Sequence, residues 1–280
     1  MPSSASSSPA PTSAVADPGT GSKPRRRPRR RAAGDPVVSD GRPVIVFLHG
    51  TRLTGAQWAV QVADLEAEFR CLTPDLPGHG TAAATQFTVA GAAESVERLI
   101  AEEAGGRAFV VGLSLGGYVA MDVAARWPER VSGLVVSGAS AEPVGVRSLA
   151  YHALATIFER VDEAFLDRVN AWFFGVRYRP EIAEPIIAGG FHFRGGAVAV
   201  RSLVGERFRP RLARYPGPTL LVNGELDLFF RPFARSFKDA AADARRVVLP
   251  GATHLANLDR PELFTAVVRR FVRRVVASTQ

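Results

Sequence analysis

The chain has 280 residues, 46% apolar and 22% charged, a balance that suits a soluble globular protein long enough for one large α/β core. No stretch approaches the roughly 20 apolar residues of a membrane helix; the single Cys71 excludes an internal disulfide, and one cysteine with five scattered histidines argues against a structural metal such as zinc. The net charge of +8 is uneven: residues 1–35 hold seven basic and two acidic side chains, a net +5, leaving +3 for the other 245.

Residues 1–34 are rich in Ser, Pro, Ala and Arg and nearly free of large apolar side chains, so they are predicted to form a disordered basic tail. The basic run at 23–31 has no apolar segment beside it, which argues against a secretory or twin-arginine signal and predicts a cytoplasmic protein. Only this run offers nucleic acid or an anionic surface a footing, through counterion release.

From Val44 onward, strands and helices alternate. Val44–Leu48 is a continuous apolar run, the pattern of a central parallel strand covered on both faces. Gly55 to Phe69 carries Trp58, Val62, Leu65 and Phe69 at helical spacing. A short strand near Arg70–Thr73 should hold Cys71 as a buried thiol, and a helix follows over Val89–Glu103. Then come a strand at Ala108–Leu113, a helix to Arg126 and a strand at Val131–Ser137. Thr219–Val222 and Arg246–Leu249 complete the set, each followed by a helical stretch. Repeated βα units predict an α/β fold with a doubly wound, mostly parallel sheet. Residues 142–215 interrupt the alternation with helical periodicity and many aromatics, which predicts a helical cap inserted into a core of 35–141 and 216–280. Two to four of the cap aromatics are expected to face an apolar pocket.

The chemistry is concentrated at three predicted strand ends. Gly112-Leu113-Ser114-Leu115-Gly116 follows an apolar strand and precedes a helix, the context in which G-x-S-x-G delivers a serine on a strained turn. A serine hydroxyl needs a base, and the base needs an orienting acid. Asp227 follows one late strand and His254 the next, so the chain order is Ser, acid, His. Glu225 is the rival acid. An oxyanion hole requires two N–H donors; Leu115 offers one at its helix start, and Thr51, in the loop after the first strand, offers the other.

These segments, with His49-Gly50, Asp75-Leu76-Pro77-Gly78-His79-Gly80, Gly224-x-x-Asp227 and Gly251-x-x-His254 before Asp259-Arg260-Pro261, resemble the α/β-hydrolase fold superfamily from about Val44 to Val275. The resemblance implies a Ser114–Asp227–His254 triad, structural roles for His49 and His79, and a serine esterase or lactonase that needs no cofactor. Relatives with an aspartate nucleophile are set aside by Ser114 itself. The family's opening antiparallel strands have little room here beyond Val37-Val38, so six to seven strands are expected. The implied reaction is hydrolysis of a small, partly apolar carboxylic ester or lactone through an acyl-enzyme. Acyl transfer, a cofactor-free lyase or a small-molecule receptor with vestigial turnover remain open on the same residues. Arg52, Trp58, Trp172 and His192 are the candidate substrate contacts; Arg52 suits a substrate carboxylate, or else packs its stem over Trp58.

Overall fold

The computed structural model describes residues 41–279. The expected tail at 1–34, its basic run and the strand candidate Val37-Val38 lie outside the described residues.

Six strands form one sheet: β1 Val44–Leu48, β2 Arg70–Leu72, β3 Ala108–Leu113, β4 Val131–Ser137, β5 Pro218–Gly224 and β6 Asp243–Leu249. Their order is β2-β1-β3-β4-β5-β6, and every neighbouring pair is parallel. The helices are α1 Ala59–Leu65, α2 Val89–Glu103, α3 Leu115–Arg126, α4 Ser148–Arg160, α5 Glu163–Arg177, α6 Pro180–Ala188, α7 Phe193–Leu203, α8 Arg209–Ala213, α9 Ala234–Ala240, α10 Ala256–Asp259 and α11 Pro261–Thr279. None among the described residues is long and apolar enough to cross a membrane.

The period-2 geometry of the strands divides the core in two. Val44, Val46, Leu48 and Val110 pack on one face with residues of α2 and α3 such as Ile100 and Met121. Ile45, Phe47, Phe109 and Val111 pack on the other with Leu65 of α1 and Phe264 and Val268 of α11. Burial of each such large side chain contributes roughly 1.5–3 kcal/mol. The helices carry the matching stripe: α2 buries Val89, Ala92, Ala93, Val96 and Ile100, and Thr88 caps its start by accepting from the Gly91 N–H at 2.9 Å.

Trp58 belongs to this core and is corrected as a candidate substrate contact. It is fully buried, with ring centroids 5.0 Å from Phe47 and 5.7 Å from Phe264. The helical spacing that links it to Leu65 turns it under the sheet. Cys71, on edge strand β2, is half-buried rather than buried; partial burial, with Glu66 nearby, still pushes its thiol up to about 11.

Between β4 and β5 the chain forms α4 to α8. Their own core joins Phe158, Phe174, Tyr178, Phe191 and Phe193 and is anchored to the sheet domain by Leu53 and Leu258. These helices cap the carboxyl ends of the strands, because Tyr151 and Leu154 of α4 and Val200 and Leu203 of α7 share one cavity with Ser114.

Candidate active site

Open parallel sheets gather ligand groups where the strand order reverses. Here that point lies between β1 and β3, since the chain runs from β1 outward to β2 and returns to β3 on the other side. Thr51 follows β1 and Ser114 follows β3.

Ser114 has φ 53 and ψ −115, a region that L-residues seldom adopt. Two glycines make that turn compact. A Cβ on Gly116 would lie 2.1 Å from the Leu48 carbonyl oxygen, and one on Gly112 would lie 2.2 Å from the Gly116 carbonyl oxygen. The resulting close approach lets the Gly116 N–H donate to the His49 carbonyl at 3.0 Å, while the Ser114 N–H donates to the Ser137 carbonyl at 2.8 Å. The elbow is thereby pinned to both neighbouring strand ends. The Ser114 side chain makes no capping bond to its own helix, so its hydroxyl is left for the cavity.

His254 Nδ1 lies 3.2 Å from Asp227 Oδ2. The other Asp227 oxygen accepts the Phe230 N–H at 3.1 Å, and the residue is buried. Phe230 stacks on the imidazole at 4.9 Å and 20°. On the far side, the Gly138 backbone comes so near that an added Cβ would sit 2.9 Å from the ring. The ring is thus held by a carboxylate, an aromatic face and bare backbone. No hydrogen bond joins Ser114 Oγ to His254; such contacts are often loose without substrate and tighten when it binds. Glu225, the rival acid, is exposed and accepts the Gly251 N–H at 2.9 Å.

Ser114, Asp227 and His254 all line a cavity of about 340 Å³. Thr51 and Leu115 line it too, and neither backbone N–H has a hydrogen-bond partner among the described residues. Two residues with unpartnered amides, one in the loop after β1 and one at the start of α3, therefore line the same cavity as the serine. The remaining wall is mainly apolar: Leu115, Leu154, Val200, Leu203, Phe229 and Phe230.

Two buried histidines hold the Thr51–Arg52 loop. His79 Nε2 accepts the Arg52 N–H at 3.1 Å while its Nδ1–H donates to the Pro77 carbonyl at 2.9 Å. His49 Nε2 accepts the Leu76 N–H at 2.9 Å and its Nδ1–H donates to the Gly50 carbonyl, also at 2.9 Å. Burial lowers the His49 pKa to about 3 and that of His79 to about 4, so both work as neutral struts.

The other substrate candidates separate. Arg52 lines the cavity; its Nε donates to Asn170 Oδ1 at 3.0 Å, and it does not rest on Trp58. Trp172 is 68% exposed on α5 and lies off the cavity wall, because the buried side of that helix is Leu166 and Phe174. His192 is also off the wall; its N–H donates to the Arg52 carbonyl and its ring reaches the Gly189 carbonyl. Of the cap aromatics only Tyr151 reaches the cavity, fewer than the two to four expected, since most pack into the cap's own core.

Sequence reasoning missed Tyr118, Phe229 and Phe230. The signal was present: Tyr118 is one helical turn beyond Ser114, and the two phenylalanines follow Asp227 within three residues.

Residues 45–267 match the profile described as the alpha/beta hydrolase family. The chain belongs to that family. The pimeloyl-[acyl-carrier protein] methyl ester esterase of Edwardsiella ictaluri is 32% identical over 247 residues, covering 82% of this chain and 93% of that protein. Among solved structures, the enol-lactonase of Burkholderia xenovorans superposes with a TM-score of 0.71 at 24% identity, covering 85% of this chain and 94% of that one. A thermophilic esterase from Thermogutta terrifontis, solved with malate bound, gives 0.69 at 26% identity, covering 84% and 90%. This alpha/beta hydrolase thus has esterases among its relatives, and its six-stranded sheet with a helical cap is the fold of the family.

Proposed function

We propose that the protein is a serine hydrolase that cleaves a small carboxylic ester or lactone through an acyl-enzyme. Ser114 Oγ attacks the acyl carbon as His254 Nε2 takes the hydroxyl proton, with Asp227 holding Nδ1–H and stabilising the imidazolium. The oxyanion is received by the Thr51 and Leu115 N–H groups, which need no reorganisation because they have no other partner; each such donor is worth roughly 10²–10³ in rate. Collapse expels the alkoxide, which leaves with the proton from His254. Water then enters, gives a proton to His254, attacks the acyl carbon, and frees the acid and Ser114.

The observation that carries this reading is the 3.2 Å contact of His254 with buried Asp227, on the wall of the cavity that also holds the strained serine. A relative named as a methyl ester esterase supports the ester class, and the apolar wall supports a substrate with an apolar portion.

The test is hydrolysis of p-nitrophenyl esters of increasing acyl length by the wild type and Ser114→Ala, with fluorophosphonate labelling of both. Turnover and labelling should appear in the wild type and fall at least about a thousandfold in the variant. Turnover that survives Ser114→Ala, or a wild type that neither reacts nor labels, overturns it.

A further inference from the structure

Arg52 is an unusual residue at which to end a turn. Its φ of 61 is the left-handed conformation, which costs an L-residue roughly 1–2 kcal/mol, yet it is not a glycine. Such geometry persists where the surroundings over-determine it, and here they do. The Arg52 N–H is held by His79 Nε2 at 3.1 Å and its carbonyl accepts the His192 N–H at 2.8 Å. Its Nε donates to Asn170 Oδ1 at 3.0 Å, and the Asn170 amide is itself oriented because Nδ2 donates to the Leu166 carbonyl at 2.9 Å. Backbone and side chain are therefore both clamped.

The clamp leaves the charge unanswered. A guanidinium has five N–H donors, and only the one on Nε has a partner among the described residues. No carboxylate among them lies within 4.0 Å; Asp227, the acid on the same cavity wall, is engaged by His254 and the Phe230 N–H. Several other arginines of the cap and its seams are paired, among them Arg177 with Asp259, Arg201 with Glu159 and Arg211 with Asp122. Neither Nη nitrogen of Arg52 is sealed away without a partner, so both remain open to a ligand. Half-burial of a cation with no counter-charge is costly, and it lowers the Arg52 pKa to about 10, which leaves the group charged at neutral pH.

We propose that the substrate carries a carboxylate as well as the scissile ester or lactone, and that the free Nη face of Arg52 binds it. Bidentate N–H donation to a carboxylate is the interaction that the fork geometry suits best. The residue adjoins Thr51, so the anion is fixed beside the proposed oxyanion donor, while the apolar wall takes the chain between the two polar ends. The inference rests on the serine-hydrolase reading for its substrate but not for its anion site.

The test uses the monomethyl esters of succinate, glutarate and adipate, each paired with its neutral half-amide, with methanol release as the readout. For at least one chain length the wild type should prefer the acid at least tenfold in kcat/KM, mainly through KM. Arg52→Gln should bring that ratio to within about twofold of one, Arg52→Lys should keep an intermediate ratio, and Asn170→Ala should lower it in part. A wild-type ratio near or below one at all three lengths, or a ratio unchanged in Arg52→Gln, overturns the proposal. Thermal melts show whether each variant folds, and Arg52→Lys with Asn170→Ala carry the test if Arg52→Gln does not. Should no ester react and no fluorophosphonate label Ser114, the serine reading fails alone. Calorimetric titration with glutarate then decides the anion site: binding lost in Arg52→Gln supports it, and binding that is absent or indifferent to the substitution overturns it.

Discussion

The Asp259 carboxylate joins the loop of His254 to the cap: Oδ1 accepts from the Tyr178 hydroxyl at 2.9 Å, and Oδ2 accepts from the Thr253 N–H at 2.7 Å. Arg177 adds a bond at 2.7 Å to Oδ1, and the Thr253 hydroxyl a further one to Oδ2. One buried side chain thus sets the residue before His254 and the end of α5. Burial opposes its charge, but the bonds from Thr253, Arg177 and Tyr178 prevail and hold its pKa below the usual carboxylate range. Asp259→Ala leaves several donors unsatisfied and is expected to destabilise the fold by roughly 2–3 kcal/mol. It should also lower kcat more than it raises KM, because it loosens His254, the proposed base, rather than the cavity wall. Asp259→Asn, which keeps an acceptor oxygen, should lose less on both counts; urea unfolding and ester kinetics check the order.

His49 and His79 make the fold acid-sensitive in a stated window. Their folded pKa values lie near 3 and 4, against about 6.5 in an unfolded chain. The unfolded state therefore binds protons that the native state refuses, and the struts' contribution is complete above about pH 6.5 and lost as the pH falls toward their folded values. Each histidine steepens the fall by about 1.4 kcal/mol per pH unit. Asp259, whose pKa is depressed, works in the same direction at lower pH: its contribution is present above the ordinary carboxylate range and lost below it. Urea midpoints should be level from pH 7.5 to about 6.5 and then drop toward pH 4.5 with a slope approaching two protons, and His79→Gln should remove about one of them. A flat profile would contradict the neutral, buried role of these rings.

Much of this is legible in the sequence. The strands of the sheet centre are continuous apolar runs, and the Val89–Glu103 helix is bounded by a threonine cap and a regular stripe, so local pattern and tertiary role agree. Ser114 and the Asp227–His254 contact could be anticipated because glycine turns at strand ends leave few alternatives. The cavity wall could not be read in the same way. Whether an aromatic faces substrate or the cap's own core depends on the rotation of α4 and α5, and polarity at helical spacing does not distinguish two apolar destinations. Position along the helix matters as well: Tyr151 reaches the cavity while Phe158, two turns on along the same face of α4, packs into the cap. Trp58 shows the opposite lesson: the spacing that named it already implied its burial.

Tyr118 and Tyr151 link the elbow helix to the cap, and the direction of their bonds makes them unequal. The Tyr118 hydroxyl donates to the Ala141 carbonyl, so the contact of 2.6 Å between the two hydroxyls must be Tyr151 donating to Tyr118. Burial raises both phenol pKa values, and both stay protonated. Tyr118→Phe removes the donor to Ala141 and the acceptor for Tyr151, and is expected to cost about 1–3 kcal/mol. Tyr151→Phe removes only one donor and leaves Tyr118 bonded to Ala141, so about 0.5–1 kcal/mol is expected. Thermal melts of the two single variants would reverse this order only if the chain of donors ran the other way.

The strain at Ser114 should be measurable as stability. Its φ of 53 and ψ of −115 cost an L-residue on the order of 1–3 kcal/mol, and the cost is imposed by the Gly116 and Ser137 contacts on either side. Ser114→Ala keeps a Cβ and so keeps the strain, and its melting temperature should stay close to the wild type. Ser114→Gly removes the Cβ; the relief exceeds the roughly 0.5–1 kcal/mol that glycine adds to unfolded-chain entropy. The glycine variant is therefore expected to be inactive yet more stable than the wild type, by about 1 kcal/mol, which is roughly 2–4 °C in a chain of this size. If alanine and glycine melt together, the elbow is relaxed and the serine is not held under strain. If only glycine rises, the fold carries a destabilising turn at that hydroxyl, the trade between stability and activity expected of the proposed nucleophile.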